Sequence, residues 1–458
     1  MLICLSPSIA SQTIARWMSL LIVASPTCAA SAQSSPSATS LQFSLGPEIN
    51  VGKALTEPPR NQYQCDLRHD PSDSDRMIIT AKIGFEDHTA AFATDDGGQT
   101  WSVTRQWDSG DPDVAFDHVG NAYWTFIDGH GGNRQNSVRR SFDGGRTWQP
   151  KQLLIEKGFI DHPHVVVDRG SNSPHVGSIY FAGRYLSQSS LWVIRSHDRG
   201  TTWQTETVKL PPAIGNGFVH TMAVTEDGTL VIPIESQRTI LSRDGRYDGS
   251  LATVHTIRST DGGQTFDAPV HLGDKNHPAR GGLGDARANS GVAAGRYQNT
   301  ERLYFVFPRR RPALPTILMI STSDDAGQSW TTPRRLLPPN PSGNSSEPPS
   351  GDSVPTVMVN RDGVVGVAYY RFIANPARFD LYFTASVDGG EHFGDPIRIS
   401  SQSSLEPPTA SQAREPGGDQ VYSDIGGDGT FRLVWTDNRD GDERYTIYYR
   451  KVIPVVHP

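Results

Sequence analysis

The amino-acid sequence predicts an all-β protein whose strands form a seven-bladed β-propeller, with six blades as the alternative. Three observations lead to this prediction. The 44 glycines and 33 prolines are spread along 458 residues, a composition typical of short strands joined by tight turns. One octapeptide pattern occurs six times. A second unit, made of two strands around a glycine turn, occurs seven times, and such a period is typical of repeat architectures.

The octapeptide has the pattern Ser/Thr-x-Asp-x-Gly-x-x-aromatic. Its copies are Thr94–Trp101, Ser141–Trp148, Ser196–Trp203, Ser259–Phe266, Ser323–Trp330 and Ser386–Phe393. Successive copies begin 47 to 64 positions apart, which is the period of a four-stranded blade with its loops. In such a turn the aspartate accepts backbone N–H bonds, the glycine takes a positive φ and the aromatic ring fixes the hairpin. We therefore expect the six aspartates to be structural.

The second unit precedes each octapeptide and is clearest at residues 113–124. Equivalent units begin near Asp66, His164, Thr221, Asn289, Thr356 and Tyr422. The seventh unit has three strands and no octapeptide. We expect the segment around residues 41–53 to complete it by pairing with the strand around Tyr445–Tyr449. An N-terminal strand at that place closes the ring and removes both free sheet edges.

The first 32 residues are predicted to be a signal peptide, residues 33–40 a flexible leader and residues 41–458 a single propeller domain. Arg16 precedes an apolar run over residues 17–24, and Ala30-Ser31-Ala32 has the small-residue pattern of a cleavage site. The apolar run is shorter than the roughly 20 residues that a membrane-spanning helix needs. The expected protein is secreted or periplasmic and has no membrane span.

Charge and cysteine content narrow the partner classes. The chain has 42 Lys and Arg against 49 Asp and Glu, a net charge of −7, and no long basic run, which argues against a nucleic-acid partner. Cys65 is the one cysteine that follows the predicted signal peptide, so no disulfide is expected within the propeller. No motif indicates a cofactor. The oligomeric state is left open.

Polar residues collect at one predicted face of the ring, which we call the mouth. There the first strand of each blade begins and the second ends, beside the central channel, whereas the octapeptide turns lie on the opposite face. The mouth positions include Asp113, His164, Arg184, His220, Glu235, Arg287, Arg309, Arg371 and Tyr422. Arginine forks bind carboxylates and carboxylates accept hydrogen bonds from sugar hydroxyls, so an anionic or polyhydroxylated ligand is expected. The alternative is that these residues pair with one another around a water-filled channel.

The segment Asp161-His162-Pro163-His164, together with His220, is the candidate for a metal site in this sequence. A His-x-His sequence can present two imidazoles on one strand face. No third ligand follows at a diagnostic spacing, so hydrogen-bonding or structural histidines are the preferred interpretation. No metal is predicted.

The octapeptide resembles the Asp-box, or bacterial neuraminidase repeat, of the sialidase superfamily, and the resemblance covers about residues 55–450. Sialidases use a tyrosine nucleophile assisted by a glutamate, an aspartate acid/base and three arginines that hold the sugar carboxylate. The resemblance implies candidates from their place at the mouth: Glu235, Asp113, Tyr369 and Tyr422 as catalytic residues, and Arg184, Arg287, Arg309, Arg371, His164 and His220 as substrate-binding residues. The Arg-Ile-Pro signature of sialidases is missing, and the most similar segment is Pro58-Pro59-Arg60-Asn61.

The expected function is that of an exported carbohydrate-active protein, a glycoside hydrolase or a lyase acting on an acidic glycan. A non-catalytic Asp-box propeller that binds glycan or protein at its mouth is the alternative, and the missing signature favours it. A structural envelope protein is a third possibility. One fold can carry any of these functions, so they must be distinguished by the residues of the functional site.

Overall fold

The computed structural model describes residues 42–55, 61–84, 88–108, 110–129, 133–155, 158–185, 190–212, 214, 217–241, 247–274, 290–311, 314–338, 349–374, 377–405, 421–439 and 444–455. This part of the chain contains 31 strands and a single helical turn, the 3-10 helix Val51–Ala54. The predicted all-β propeller is confirmed. The predicted signal peptide and leader lie outside the described residues, so their assignment stays a prediction.

Three four-stranded sheets follow one another along the chain. Sheet one contains β3 (Gln62–Asp70), β4 (Asp73–Ile83), β5 (His88–Thr94) and β6 (Ser102–Asp108). Sheet two contains β7 (Asp113–Phe116), β8 (Ala122–Asp128), β9 (Gln135–Ser141) and β10 (Gln152–Leu153). Sheet three contains β11 (Ile160–Val167), β12 (Ile179–Tyr185), β13 (Ser190–Ser196) and β14 (Gln204–Lys209). Neighbouring strands within each sheet are antiparallel.

The remaining strands form three larger sheets. Sheet four contains β15 (Gly217–Val219), β16 (Ala223–Val224), β17 (Leu230–Leu241), β18 (Tyr247–Ser259) and β19 (Val270–Asp274). Sheet five has nine strands: β20 (Gly291–Tyr297), β21 (Thr300–Arg311), β22 (Leu314–Ser323), β23 (Arg334–Arg335), β24 (Pro349–Val359), β25 (Val365–Ala374), β26 (Ala377–Ser386), β27 (Ile397–Arg398) and β28 (Ser404–Leu405). The closing sheet contains β1 (Gln42–Leu45), β2 (Ile49–Asn50), β29 (Asp424–Ile425), β30 (Phe431–Asp437) and β31 (Thr446–Val455).

The predicted blade number, seven with six as the alternative, is wrong for the described residues. Five sheets have the size of one blade, and the predicted fifth and sixth units are joined in the nine-stranded sheet five. The joint is a parallel pairing of Thr316 on β22 with Gly351 on β24. A Cβ on Gly351 would lie 2.8 Å from the backbone nitrogen of Thr316, so glycine permits this close approach. The repeat predicts the units but not this pairing between them.

Strand β1 closes the ring as predicted. Its residues pair antiparallel with β31, where Gln42 lies opposite Val455 and Leu45 opposite Val452. Strand β2 continues the pairing, with Ile49 opposite Tyr449. The predicted partner segment, residues 445–449, thus pairs with β2, while β1 pairs further along the same strand. This closure covers an edge of the closing sheet.

Each Asp box forms the turn that follows a third strand. In the first box the Asp96 carboxylate accepts hydrogen bonds from the backbone N–H groups of Gln99 and Thr100, and the Thr94 hydroxyl accepts one from Gly98. The other five aspartates bond their own turns in the same way. A Cβ on Gly98, where φ is +88°, would lie 2.3 Å from the ring of Tyr449. The structural role predicted for the aspartates is confirmed.

The apolar core lies between neighbouring sheets. Between sheets one and two, for example, the buried side chains of Ile78 and Trp124 belong to one cluster. The box residue Trp148 packs against this cluster with its ring 5.3 Å from that of Trp124. Packing of this kind leaves the first strand of each unit facing the central channel, where polar side chains can reach solvent.

Candidate functional site

The central channel contains a cavity of about 450 Å³. Residues of the innermost strands of all six sheets line it, from β3, β7, β11, β16, β20, β24 and β29. Sheet five contributes two of these strands, which is why seven strands surround the channel. The mouth is the end at which these strands begin, and the Asp-box face is the end at which they stop.

A left-handed residue recurs where the innermost strands begin. Four non-glycine residues with φ near +50° stand there, each two positions before a buried polar residue: Gln64 and Asp66, Asp111 and Asp113, His162 and His164, and Val354 and Thr356. The strand pairing shifts register at three of these places. Such a conformation costs of order 1–3 kcal/mol and persists only where the surrounding structure enforces it. These bulges set the direction of the polar side chains.

Asp113, His164 and Tyr422 meet deep in the channel. The Asp113 carboxylate lies 3.0 Å from Nδ1 of His164 and accepts a hydrogen bond of 3.0 Å from the backbone N–H of Val165. The rings of His164 and Tyr422 meet edge to face at 5.4 Å. The structure thus brings these three predicted residues together, and all three are buried.

Asp66 and its ion-pair partner Arg68 complete this deep group. Arg68 lies 2.5 Å from Asp66 and 4.0 Å from Asp113. Burial, opposed by Arg68 and reinforced by Asp113, raises the pKa of Asp66 well above its usual range. Burial would also raise the pKa of Asp113, but hydrogen bonds from Asp66 and His164 outweigh it and lower that pKa to about 2. The pKa values of these two carboxyls are therefore shifted in opposite directions.

His220 and Glu235 form a second buried pair, nearer the mouth. Nε2 of His220 lies 3.0 Å from Oε2 of Glu235. The side chain of Glu235 is fully buried, whereas that of His220 is 6% exposed. Phe218 lies opposite Glu235 in the pairing of β15 with β17, two residues before His220. The carboxylate is therefore enclosed, and the imidazole is the more exposed member of the pair.

Arg184 lies beside this pair. Its guanidinium is 3.8 Å from the ring centroid of Phe218 and 2.5 Å from the Asp161 carboxylate. Asp161 stands directly opposite Arg184 in the pairing of β11 with β12. The Nε–H of Arg184 is buried and has no hydrogen-bond acceptor among the described residues.

Asp111, Asp161 and His162 bring three metal-ligand atoms within 4.8 Å of one another. Lys82 lies 3.3 Å from Asp111 and Arg184 pairs with Asp161, so both carboxylates already have a cationic neighbour. Carboxylate and imidazole ligands of this kind fit a divalent ion such as zinc or manganese. The candidate site in the sequence combines His162 with His164 instead. The His164 ring is directed to Asp113, and the group that the fold assembles is a different one.

Arg371 forms a separate ion pair in sheet five. Its Nε and Nη2 atoms donate to the two oxygens of Asp352 at 2.8 and 3.1 Å, and Nη2 also donates to the Tyr369 hydroxyl at 3.0 Å. The guanidinium lies 4.6 Å from the ring centroid of Tyr382. Burial and Asp352 raise the pKa of Tyr369 well above its usual range, although Arg371 opposes them, so its hydroxyl stays protonated.

The four predicted arginines are not gathered into one cluster by the contacts that the structure describes. Arg184 and Arg371 are each held by a carboxylate of their own sheet. Arg309 lies near the end of β21, and its buried Nε–H has no acceptor among the described residues. Arg287 lies outside the described residues. The roles assigned to all four arginines stay predictions.

Lys82, Phe218 and Arg68 are not among the residues predicted from the sequence. For Lys82 and Phe218, the sequence contains a signal at the positions that they contact. In three of the four left-handed positions a proline follows and a polar residue comes next, as in Asp111-Pro112-Asp113 and His162-Pro163-His164. This recurring triplet marks the mouth ends of the innermost strands. Lys82 contacts Asp111 and Phe218 contacts His162, which are the first residues of two such triplets.

These features define an Asp-box β-propeller. The chain belongs to the BNR repeat-like domain family, whose model matches residues 175–425. The resemblance to the Asp-box propellers of the sialidase superfamily is thereby confirmed. No functionally curated protein matches the chain.

Solved structures show the same kind of fold at low sequence identity. An ulvan lyase of a polysaccharide lyase family, bound to a glucuronate–sulfated rhamnose unit, is 11% identical with a TM-score of 0.53, over 88% of this chain and 95% of that one. A protein of unknown function from Dyadobacter fermentans is 10% identical with a TM-score of 0.47, over 90% and 99%. The NanB sialidase from Streptococcus pneumoniae is 11% identical with a TM-score of 0.46, over 69% and 66%. This chain therefore spans just under two thirds of the NanB structure.

No helix in the described ranges is long and apolar enough to cross a membrane.

Proposed function

We propose that this chain is an exported carbohydrate-active propeller that cleaves an acidic glycan at its mouth, with His220 as the proton-transfer group. The observation that carries the proposal is the buried contact of 3.0 Å between His220 and Glu235. A carboxylate bonded to one imidazole nitrogen fixes the ring and stabilises its protonated form, as general acid–base catalysis requires. Glu235 is the positioning residue in this arrangement, because its side chain is enclosed.

The neighbouring charges suit an acidic sugar. Arg184 lies beside the pair and has a buried Nε–H without a described acceptor, and Arg309 has another. A guanidinium group presents further N–H donors in a planar fork, and this geometry matches the carboxylate of an acidic sugar. The polysaccharide lyase of similar fold is bound to a glucuronate-containing unit, which supports the same ligand class. The signal-peptide pattern of residues 1–32 supports export.

A screen of the mature protein against acidic polysaccharides, with product analysis, tests the proposal. Elimination leaves an unsaturated uronate that absorbs ultraviolet light, whereas hydrolysis leaves a saturated new reducing end. On a substrate that is cleaved, His220→Gln should lower kcat by about 10²–10⁴-fold, the usual contribution of general acid–base catalysis. Glu235→Gln should lower it in the same direction, because the ring loses its anionic partner.

His197→Gln is the matched control, because it changes an exposed histidine on the Asp-box face of sheet three. It should retain the kcat of the wild type. Equal turnover in His220→Gln and the wild type would remove His220 from the mechanism.

A non-catalytic glycan-binding propeller is the second candidate. The ion pairs Arg184–Asp161 and Arg371–Asp352 favour it, because they hold two of the predicted substrate-binding arginines in the ligand-free protein. A binder of this kind would retain acidic oligosaccharides on an array and release no product. In that case His220→Gln would change affinity, with no turnover to lose.

A further inference from the structure

The Asp-box end of the channel carries a charged group of its own, next to the deep group around Asp113. Arg68 and His69 near the end of β3, Arg169 just after β11 and Asp424 on β29 all line the cavity of about 450 Å³. Arg68 also belongs to the deep group described above, because it lies within 4.0 Å of Asp66 and Asp113. Asp113 and Tyr422 of that group line the same cavity. The volume lies within the range of small-molecule sites.

Most charged side chains that line this cavity have a hydrogen-bond or ion-pair partner within the protein. The Asp424 carboxylate accepts a hydrogen bond of 2.8 Å from the backbone N–H of His69 and lies 2.7 Å from Nδ1 of the same residue. Arg296 pairs with Glu226 at 3.3 Å. Burial raises the pKa of Glu301, although the backbone N–H of Glu226 donates to its carboxylate and opposes that shift.

Arg169 is the exception among the described residues that line the cavity. No hydrogen bond or ion pair joins its guanidinium to another described residue. Its side chain is exposed, but to the solvent of the channel. Burial within the channel lowers its pKa, Asp424 opposes this, and the charge of Arg68 adds to it. Arg169 and Arg68 both line the cavity, so an anion that enters it can interact with two guanidinium groups.

We propose that the Asp-box end of the channel binds an oxyanion, a carboxylate, sulfate or phosphate group, through Arg169 and Arg68. The planar guanidinium presents paired N–H donors that match such groups. The site is independent of catalysis at the mouth, since it shares neither His220 nor Glu235.

The oxyanion has two possible sources, a free small anion or the acid group of a glycan that enters the channel. Thermal unfolding of the mature protein distinguishes them. Sodium sulfate and sodium phosphate are titrated at constant ionic strength, with sodium chloride making up the balance. A glucuronate-containing oligosaccharide is titrated in a separate series. We expect at least one probe to raise the Tm along a saturating curve.

Arg169→Gln should weaken that saturating response by at least about tenfold in apparent dissociation constant, as the loss of a charge-assisted hydrogen bond implies. Arg169→Lys keeps the positive charge but not the planar guanidinium. Its apparent dissociation constant should therefore lie between those of the wild type and Arg169→Gln. Arg361→Gln is the matched control: Arg361 follows the innermost strand β24 as Arg169 follows β11, but it is exposed and does not line the cavity. It should respond as the wild type does.

Saturation by sulfate or phosphate identifies a free-anion site, and saturation by the oligosaccharide alone identifies the acid group of a glycan. The proposal is overturned if no probe saturates, or if Arg169→Gln and the wild type give equal dissociation constants. The Glu235→Gln variant separates this inference from the proposed function. It should keep the anion response whether or not the wild type cleaves any glycan.

Discussion

The carboxylate of Asp113 accepts a hydrogen bond of 3.0 Å from the backbone N–H of Val165, and this bond joins sheet two to sheet three. Asp66 does the same for the N–H of Val114 in sheet two, at 3.1 Å. The hydroxyl of Thr221 accepts from the N–H of the next innermost strand, β20, at 3.0 Å. Polar residues at the channel therefore tie neighbouring sheets together, in addition to any role towards a ligand.

Replacing Asp113 should destabilise the propeller strongly. Asp113→Ala leaves the N–H of Val165 and the ring of His164 without their buried acceptor, and we expect a loss of about 3 kcal/mol in the free energy of unfolding. Thr221→Val removes one neutral acceptor and should cost about 1 kcal/mol. Urea-induced unfolding measures both. An Asp113→Ala variant as stable as the wild type but without activity would assign the residue to catalysis instead.

The local structure could be predicted from the sequence because it is encoded in short motifs. An octapeptide such as Ser196–Trp203 contains every group that its turn needs, so it specifies the same hairpin in any unit. Strand β1 could be placed because the seventh unit lacked a strand. The pairing of Thr316 with Gly351 could not, because it depends on how closely two units approach in space.

The arrangement of the candidate site was only partly predictable. The positions of Asp113, His164 and Tyr422 on innermost strands follow from the repeat, and these residues do meet. The ion pair of Asp161 with Arg184 depends on strand register, which a left-handed bulge at residues 161–164 shifts. A prediction that assumes a regular hairpin cannot place such pairs.

Releasing Arg371 should strengthen the binding of an acidic glycan if the mouth is the binding site. Asp352→Asn removes the carboxylate that holds the guanidinium, so a ligand no longer competes with it. We expect about tenfold tighter binding for Asp352→Asn and about tenfold weaker binding for Arg371→Gln, each equivalent to about 1.4 kcal/mol. Isothermal titration with an acidic oligosaccharide measures the change. Parallel weakening in both variants would mean that the intact pair, rather than the free arginine, shapes the site.

Acid should weaken the propeller through its Asp boxes. Burial would raise the pKa of Asp198, but hydrogen bonds from Thr202, Ser196 and Thr201 outweigh it and lower the pKa to about 2. A folded-state pKa below the unfolded value of about 3.9 means that the unfolded chain binds more protons in between. The stabilisation is therefore complete above about pH 5 and is lost as the pH falls from about 4 to about 2.

Urea unfolding at a series of pH values tests this dependence. The Asp198→Asn variant should show a flatter decline between about pH 4 and pH 2 than the wild type, because its box can no longer take up the proton. Asp267→Asn, which removes an exposed carboxylate outside the box turns, serves as the control. A wild-type slope in Asp198→Asn would show that the box aspartates do not govern the acid response.

Closure of the ring by β1 should contribute measurably to stability through Phe43. This residue lies half-buried on β1, and its ring meets that of Phe383 on β26 edge to face at 5.3 Å. It therefore fastens the N-terminal strand to sheet five as well as to β31. Phe43→Ala should lower the free energy of unfolding by about 1–3 kcal/mol, less than the about 3–5 kcal/mol typical of a fully buried phenylalanine.

Ser44→Ala is the matched control, because Ser44 is exposed on the same strand and its backbone pairing with Ile453 does not need the side chain. It should unfold as the wild type does. Limited proteolysis adds a second measurement: Phe43→Ala should be cut more readily near residues 42–50, because a loosened β1 leaves the edge of β31 open. Equal stability and equal proteolysis in both variants would mean that backbone pairing alone holds the closing strand, without the aromatic contact.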